Sequence, residues 1–325
     1  MRLNVIDFLR GYSISTIVVM HLLSGFTLPR IISNALSFGG AGVHIFILVS
    51  GFGLCLSHLN KPLGYFQFLK YRFTKVYIPY IIIIVISALI PFLYDGDRFW
   101  AFISHAFLFK MFNESLMNSF GAQFWFISMI ICFYLVFPLL YTFLVKTKWK
   151  GVIINFSISL MWATIVSLFD KSEFRIWNSF FLQYLGEFSL GMMIALKYKK
   201  NQQYVKIPSK WLLAILAIIG IAITGYAGIK GGILRLYNDI PSLIGYLSLA
   251  LLIYSFEIKW INRFFSYTNR FSYEWYLLHI LVFVCIFHFF ERNYTSVTVA
   301  LVLSYGLAIL YNKLLKKIMN TKYFT

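Results

Sequence analysis

The sequence predicts an all-α protein: a polytopic membrane helical bundle of about ten transmembrane helices, with N- and C-termini cytoplasmic. Three observations predict it. First, 60% of the residues are hydrophobic and only 12% are charged, whereas soluble domains run near half apolar and about a quarter charged. Second, apolar runs of about 20 residues recur along the chain, the length that crosses a hydrocarbon core roughly 30 Å thick. Third, the basic residues cluster between alternate runs. The net charge of +18 would suit a nucleic-acid ligand if it lay on one polar face, but clusters between apolar runs encode membrane topology instead.

The spans fall at roughly 8–28, 40–59, 76–94, 122–145, 150–169, 178–197, 211–229, 240–257, 273–290 and 295–313. The first is a retained helix and not a signal peptide, because it contains Arg10 and His21 and lacks a small-x-small cleavage site. With the N-terminus inside, 21 of the 29 Lys and Arg residues fall in inner segments and 8 in outer ones. That asymmetry follows the positive-inside rule through every loop. Residues 60–75 (NKPLGYFQFLKYRFTK) mix aromatics with Lys and Arg and predict a helix lying on the inner interface. Residues 95–121 form the longest outer loop, whose FWAFISHAFLFKMF stretch is expected to pack back onto the membrane. The three cysteines lie in apolar runs without metal or CxxC spacing and read as small core residues. No repeat, low-complexity tract or long soluble segment interrupts the pattern, and no metal is expected.

Ionisable side chains are expensive in lipid, at about 2.5–3.5 kcal/mol each near a helix centre, so each one needs a reason. Asp7, Arg10, His21, Glu187, Glu274 and His279 lie within the spans or at their edges, with Gln123 and Gln183 as uncharged companions. No GxSxG, Walker A, HExxH or dinucleotide fingerprint accompanies them. Arg10 and His21 are eleven positions apart, which is three helical turns plus about 20° and a rise of about 16 Å. They therefore share a helix face, with Arg10 at the inner interface and His21 near mid-membrane. Such a pair suits a long donor with a phosphate-bearing head at the arginine and a reactive end at the histidine. Spacing alone serves equally well a snorkelling arginine and a histidine bonded to a neighbouring helix.

The segment IDFLRGYSISTIVVMH (6–21) resembles the opening signature of the acyltransferase-3 family of integral membrane acyltransferases: a basic residue, ten positions, then His. GGAGVHIFILVSGFGLCLS (39–57) is similar to that family's Gly-rich second block, and KYRFTKVYIPY (70–80) to its third. FWFISMIICFYLVFP (124–138), EFSLGMM (187–193) and SYEWYLLH (272–279) resemble later blocks, in the right order. The resemblance implies one transmembrane acyltransferase domain over 1–325, in the stand-alone form without an SGNH domain. It implies a bacterial cytoplasmic-membrane enzyme that moves acetyl from cytoplasmic acetyl-CoA to a hydroxyl of an envelope polysaccharide or lipid-linked glycan. On that resemblance His21 is the general base and Arg10 its catalytic partner. Arg72 and Lys75 bind the acyl-CoA phosphates, and Trp125 and Tyr134 line the site as an aromatic pair. Glu187 and His279, as ionisable residues in spans, are candidates for the pocket or for the acceptor.

The sequence also departs from the family pattern. Lys75 stands where Arg is common, keeping the charge but losing a bidentate fork. His44 stands where many members carry Asp, so a carboxylate at that position is missing. The tryptophan block lacks the Glu that follows five residues after Trp in SGNH-appended members. The expected partners are membrane lipid, the glycan acceptor and other proteins of an envelope polysaccharide pathway, with no nucleic acid. Two alternatives share these features: a non-enzymatic membrane transporter of a glycan or acylated metabolite, and the same enzyme carrying another acyl group such as succinyl.

Overall fold

In lipid a backbone must satisfy its own hydrogen bonds, and an apolar run does so as a helix. The computed structural model describes residues 3–24, 26 and 38–320, and among them it holds thirteen α-helices, short 3₁₀ turns and no strand. They are α1 (Asn4–Leu23), α2 (Gly42–Asn60), α3 (Tyr65–Leu89), α4 (Arg98–Ala106) and α5 (Trp125–Thr147). Then come α6 (Trp149–Leu168), α7 (Arg175–Asn178), α8 (Leu185–Lys200) and α9 (Lys210–Lys230). The last four are α10 (Asp239–Ser255), α11 (Lys259–Thr268), α12 (Ser272–Phe289) and α13 (Tyr294–Asn320). Ten helical stretches among the described residues are long and apolar enough to cross a membrane. Their outer surfaces stay apolar: Leu139 is 75% exposed, and Ile218 and Val302 are exposed with it, as lipid-facing positions should be.

The helix ends carry ordinary signals. Asp97 caps α4 by accepting from Trp100 N at 2.9 Å, and Ser209 accepts from Leu212 N at the start of α9. α1 sits inside the bundle and packs against α2, α10, α11 and α12. α2 and α8 approach to backbone contact: a Cβ on Gly51 would run into the main chain at Phe188, and one on Gly191 into Leu48. Small residues permit such close crossings.

Four sequence expectations are corrected. The first span begins at Asn4, earlier than position 8, and its helix ends at Leu23; positions 27–28 of that span lie outside the described residues. The interfacial helix expected at 60–75 is instead the opening of α3, which runs unbroken from Tyr65 through Pro79 to Leu89. A proline inside a helix removes the donor to the carbonyl four residues back, here that of Lys75, and neighbouring helices brace the turns beside it. The Tyr273 hydroxyl donates to Val76 O and the Tyr311 hydroxyl to Pro79 O, both at 2.7 Å. The sixth span is not entered directly: α7 and a 3₁₀ turn at Phe181–Tyr184 precede α8. A short helix the hydropathy profile passes over, α11, leads into α12.

Candidate active site

His21 lies in the last turn of α1, on the face turned towards α12. Its Nδ1 is 2.9 Å from Nε2 of His279, with the two rings stacked at 5.1 Å and 15°. His279 is buried, and its Nδ1–H donates to the carbonyls of Tyr276 (2.8 Å) and Trp275 (3.1 Å). A neutral imidazole has one donor and one acceptor nitrogen. Nε2 of His279 is therefore the acceptor, His21 donates to it through Nδ1–H, and the lone pair of His21 is on Nε2. No described group bonds that nitrogen.

His21 lines a cavity of about 300 Å³ with Gln123, Trp125, Tyr184, Arg175 and Arg235. The Gln123 side chain is 3% exposed, and neither its Oε1 nor its Nε2 has a hydrogen-bond partner. Its backbone is fixed by the Tyr276 hydroxyl, which donates to Gln123 O at 2.6 Å. His44, from the first turn of α2, lines the same cavity. Behind it, Glu187 of α8 receives His44 Nδ1 at 2.7 Å, and Asp239 of α10 stands 3.7 Å from its Nε2. The histidine at position 44 is thus paired with carboxylates from two other helices. Gln183 donates to Asp239 Oδ2 at 2.6 Å and holds it in place.

A second cavity, of about 560 Å³, opens towards the end of the bundle that holds the start of α3 and the end of α13. Five basic side chains line it (Arg10, Arg72, Lys75, Arg270 and Lys316), against one carboxylate, Glu274, which accepts from Asn312 at 2.8 Å. Arg10 donates from Nη2 to Val49 O at 3.1 Å, and Arg72 Nε is buried without a partner. Phe46 lines both cavities, packed edge-on against Phe126 at 5.6 Å. A third, apolar hollow of about 600 Å³ beside α11 and α13 contains no charged group.

The structure brings some expected residues together and separates others. Arg10, Arg72 and Lys75 share one cavity, and His21 and Trp125 share the other. Arg10 does not orient His21; His279 does, since eleven helical residues put the arginine about 16 Å away along the axis. Trp125 and Tyr134 are not a pair: Trp125 lies beside His21, while Tyr134 lines the basic cavity with Arg72. Nine residues on a helix is two and a half turns, which turns the two side chains to opposite faces. Glu187 lies outside the His21 cavity and acts on it only through His44. Arg175, Arg235 and Asp239 were legible only as loop charges, because each sits just before a span where charge is common.

A family model described as an acyltransferase domain, the acyltransferase-3 type, matches residues 3–313 of the 325. The chain belongs to the acyltransferase-3 family. Curated proteins and solved structures return no match to it. Family membership together with ten apolar helices makes this acyltransferase an integral, multi-pass membrane protein. In the acyltransferase the segments 6–21 and 272–279 meet at the His21–His279 contact.

Proposed function

We propose that this acyltransferase transfers acetyl from acetyl-CoA to a hydroxyl of an envelope glycan, with His21 as general base. The observation that carries the reading is the His21 ring itself. Its Nδ1 is committed to His279 and its Nε2 faces a cavity that shares Phe46 with a basic one. The basic cavity suits the donor, because guanidinium and ammonium groups match phosphates and Arg72 Nε is buried without a partner. In this reading Nε2 of His21 takes the proton from the acceptor hydroxyl as its oxygen attacks the thioester carbon. The His21 Nδ1–H bond to His279 keeps the ring oriented while Nε2 carries the proton. The unpartnered Gln123 amide is available to donate to the carbonyl oxygen as negative charge gathers there. The C–S bond then breaks, and His21 returns the proton to the departing thiolate, leaving free CoA and the ester.

The excess of basic residues around the donor cavity supports a reading in which that end of the bundle, with both termini, faces the cytoplasm of a bacterial cell. The decisive experiment is acetyl-CoA consumption by purified protein with candidate acceptors. His21→Ala should abolish ester formation while leaving the amount of protein in the membrane unchanged. Full acetylation by that variant would overturn the reading.

A further inference from the structure

The wall of the His21 cavity contains Arg175 and Arg235 and no Asp or Glu. Neither guanidinium has a carboxylate within 4 Å. All eleven Asp and Glu side chains lie among the described residues, so no further acidic side chain is left to supply one. The nearest candidates are already engaged. Glu114 spends its two oxygens on the backbone amides of Arg175 and Ile176, each at 3.2 Å. Glu187 and Asp239 face His44 from behind the wall. Arg175 makes one bond to Ser179 Oγ at 3.3 Å and lies over the Trp125 ring at 5.5 Å, which positions it without neutralising it. Arg235 has no hydrogen-bond or ion-pair partner among the described residues. Deeper in the same cavity, the Gln123 amide is buried with both polar atoms unpartnered. The cavity therefore presents two unneutralised cations at its mouth and an unused hydrogen-bonding group near the base.

We propose that the acceptor is an anionic saccharide, whose carboxylate or phosphate seats between Arg175 and Arg235 while its hydroxyl reaches Nε2 of His21. This rests on the acyl-transfer reading for the fate of the hydroxyl, but the anion site stands on its own geometry. Two guanidinium forks at a cleft with low-dielectric walls attract and orient such a group. A neutral sugar would leave both unmatched. The same charges distinguish this cavity from the donor cavity, where five basic groups await several phosphates.

The test is a binding measurement followed by a transfer measurement. Purified protein is titrated with methyl glucuronide, methyl glucoside 6-phosphate and neutral methyl glucoside, read by quenching of tryptophan fluorescence with isothermal calorimetry as control. At least one anionic probe is expected to bind tenfold or more tightly than the neutral one, and which of the two does so identifies carboxylate or phosphate. Its affinity should weaken with added salt and by about tenfold or more in the Arg175→Gln/Arg235→Gln protein. The Arg175→Lys/Arg235→Lys protein, which keeps the charge, should bind within a few-fold of the parent. Equal binding of neutral and anionic probes, or unchanged binding in the double Gln variant, would overturn the proposal; absence of binding by all three would overturn it as well. Transfer from acetyl-CoA to the bound probe is then measured. Anion binding with no transfer to any hydroxyl would sink the acyl-transfer reading alone, whereas transfer indifferent to the acceptor's charge would sink the anion site alone.

Discussion

Among the described residues the His21 ring is held by one hydrogen bond, and the identity of its partner decides what its other nitrogen does. A histidine partner fixed by the Trp275 and Tyr276 carbonyls leaves one acceptor, so it selects one tautomer of His21 and, in the reaction we propose, places no carboxylate beside the hydroxyl. His279→Phe should therefore lower kcat by about 10²- to 10⁴-fold, the range associated with a misdirected general base, and leave KM for acetyl-CoA near its parent value. His279→Gln can still offer an acceptor oxygen and should recover part of the loss. A steady-state comparison in which both variants lose only protein yield, and no kcat per folded molecule, would contradict this. Arg10, His21 and His279 were legible in the sequence because an ionisable side chain in an apolar run needs a reason. Arg175 and Arg235 were not, because a cation beside a span is ordinary, and only folding shows that these two lack carboxylates. Gln123 was noticed as polar, but its lack of a partner is a three-dimensional fact.

At the level of elements, the connection from α3 to α5 shows how a polar cluster can tie a loop to the bundle. His105 of α4 donates from Nε2 to Ser119 O at 3.0 Å and accepts at Nδ1 from the Tyr80 hydroxyl at 2.6 Å. Lys110 donates to Ser119 O at 3.0 Å and Gly121 O at 2.6 Å, just ahead of Gln123 and Trp125. Burial, with the nearby Lys110 charge, holds His105 well below its ordinary value of 6.5. The folded protein thus binds fewer protons at this site than the unfolded chain below pH 6.5, and stability falls as pH falls. One proton corresponds to about 1.4 kcal/mol per pH unit, or about 2 °C in Tm for a chain of this size. The Tm of purified protein should decline from pH 6.5 to 5, and His105→Gln should flatten that decline; an identical slope in the variant would refute it. The apolar residues of this loop suggested a return to the membrane; its attachment to the bundle through His105 and Lys110 was not readable. The sequence did not reveal the continuous α3, because Pro79 looks like a boundary until Tyr273 and Tyr311 are seen to brace the helix beside it.

For the whole molecule, hydropathy alone yielded the number of crossings, since lipid leaves the backbone few choices. The orientation we propose from the charge asymmetry has a direct test. In a protein whose three native cysteines are replaced, Gln203→Cys should react with an impermeant maleimide only after the cells are opened. Glu173→Cys should react on intact cells. The reverse labelling pattern would invert the topology. What hydropathy could not convey is that two cavities from opposite ends of the bundle meet at one residue, Phe46. A bilayer normally keeps its two aqueous compartments apart with roughly 30 Å of hydrocarbon. Here an aromatic ring stands between the two hollows, so under the acetyl transfer we propose the enzyme would work much as an airlock does: a two-carbon cargo handed through, while the carrier that brought it and the ions on either side stay where they are.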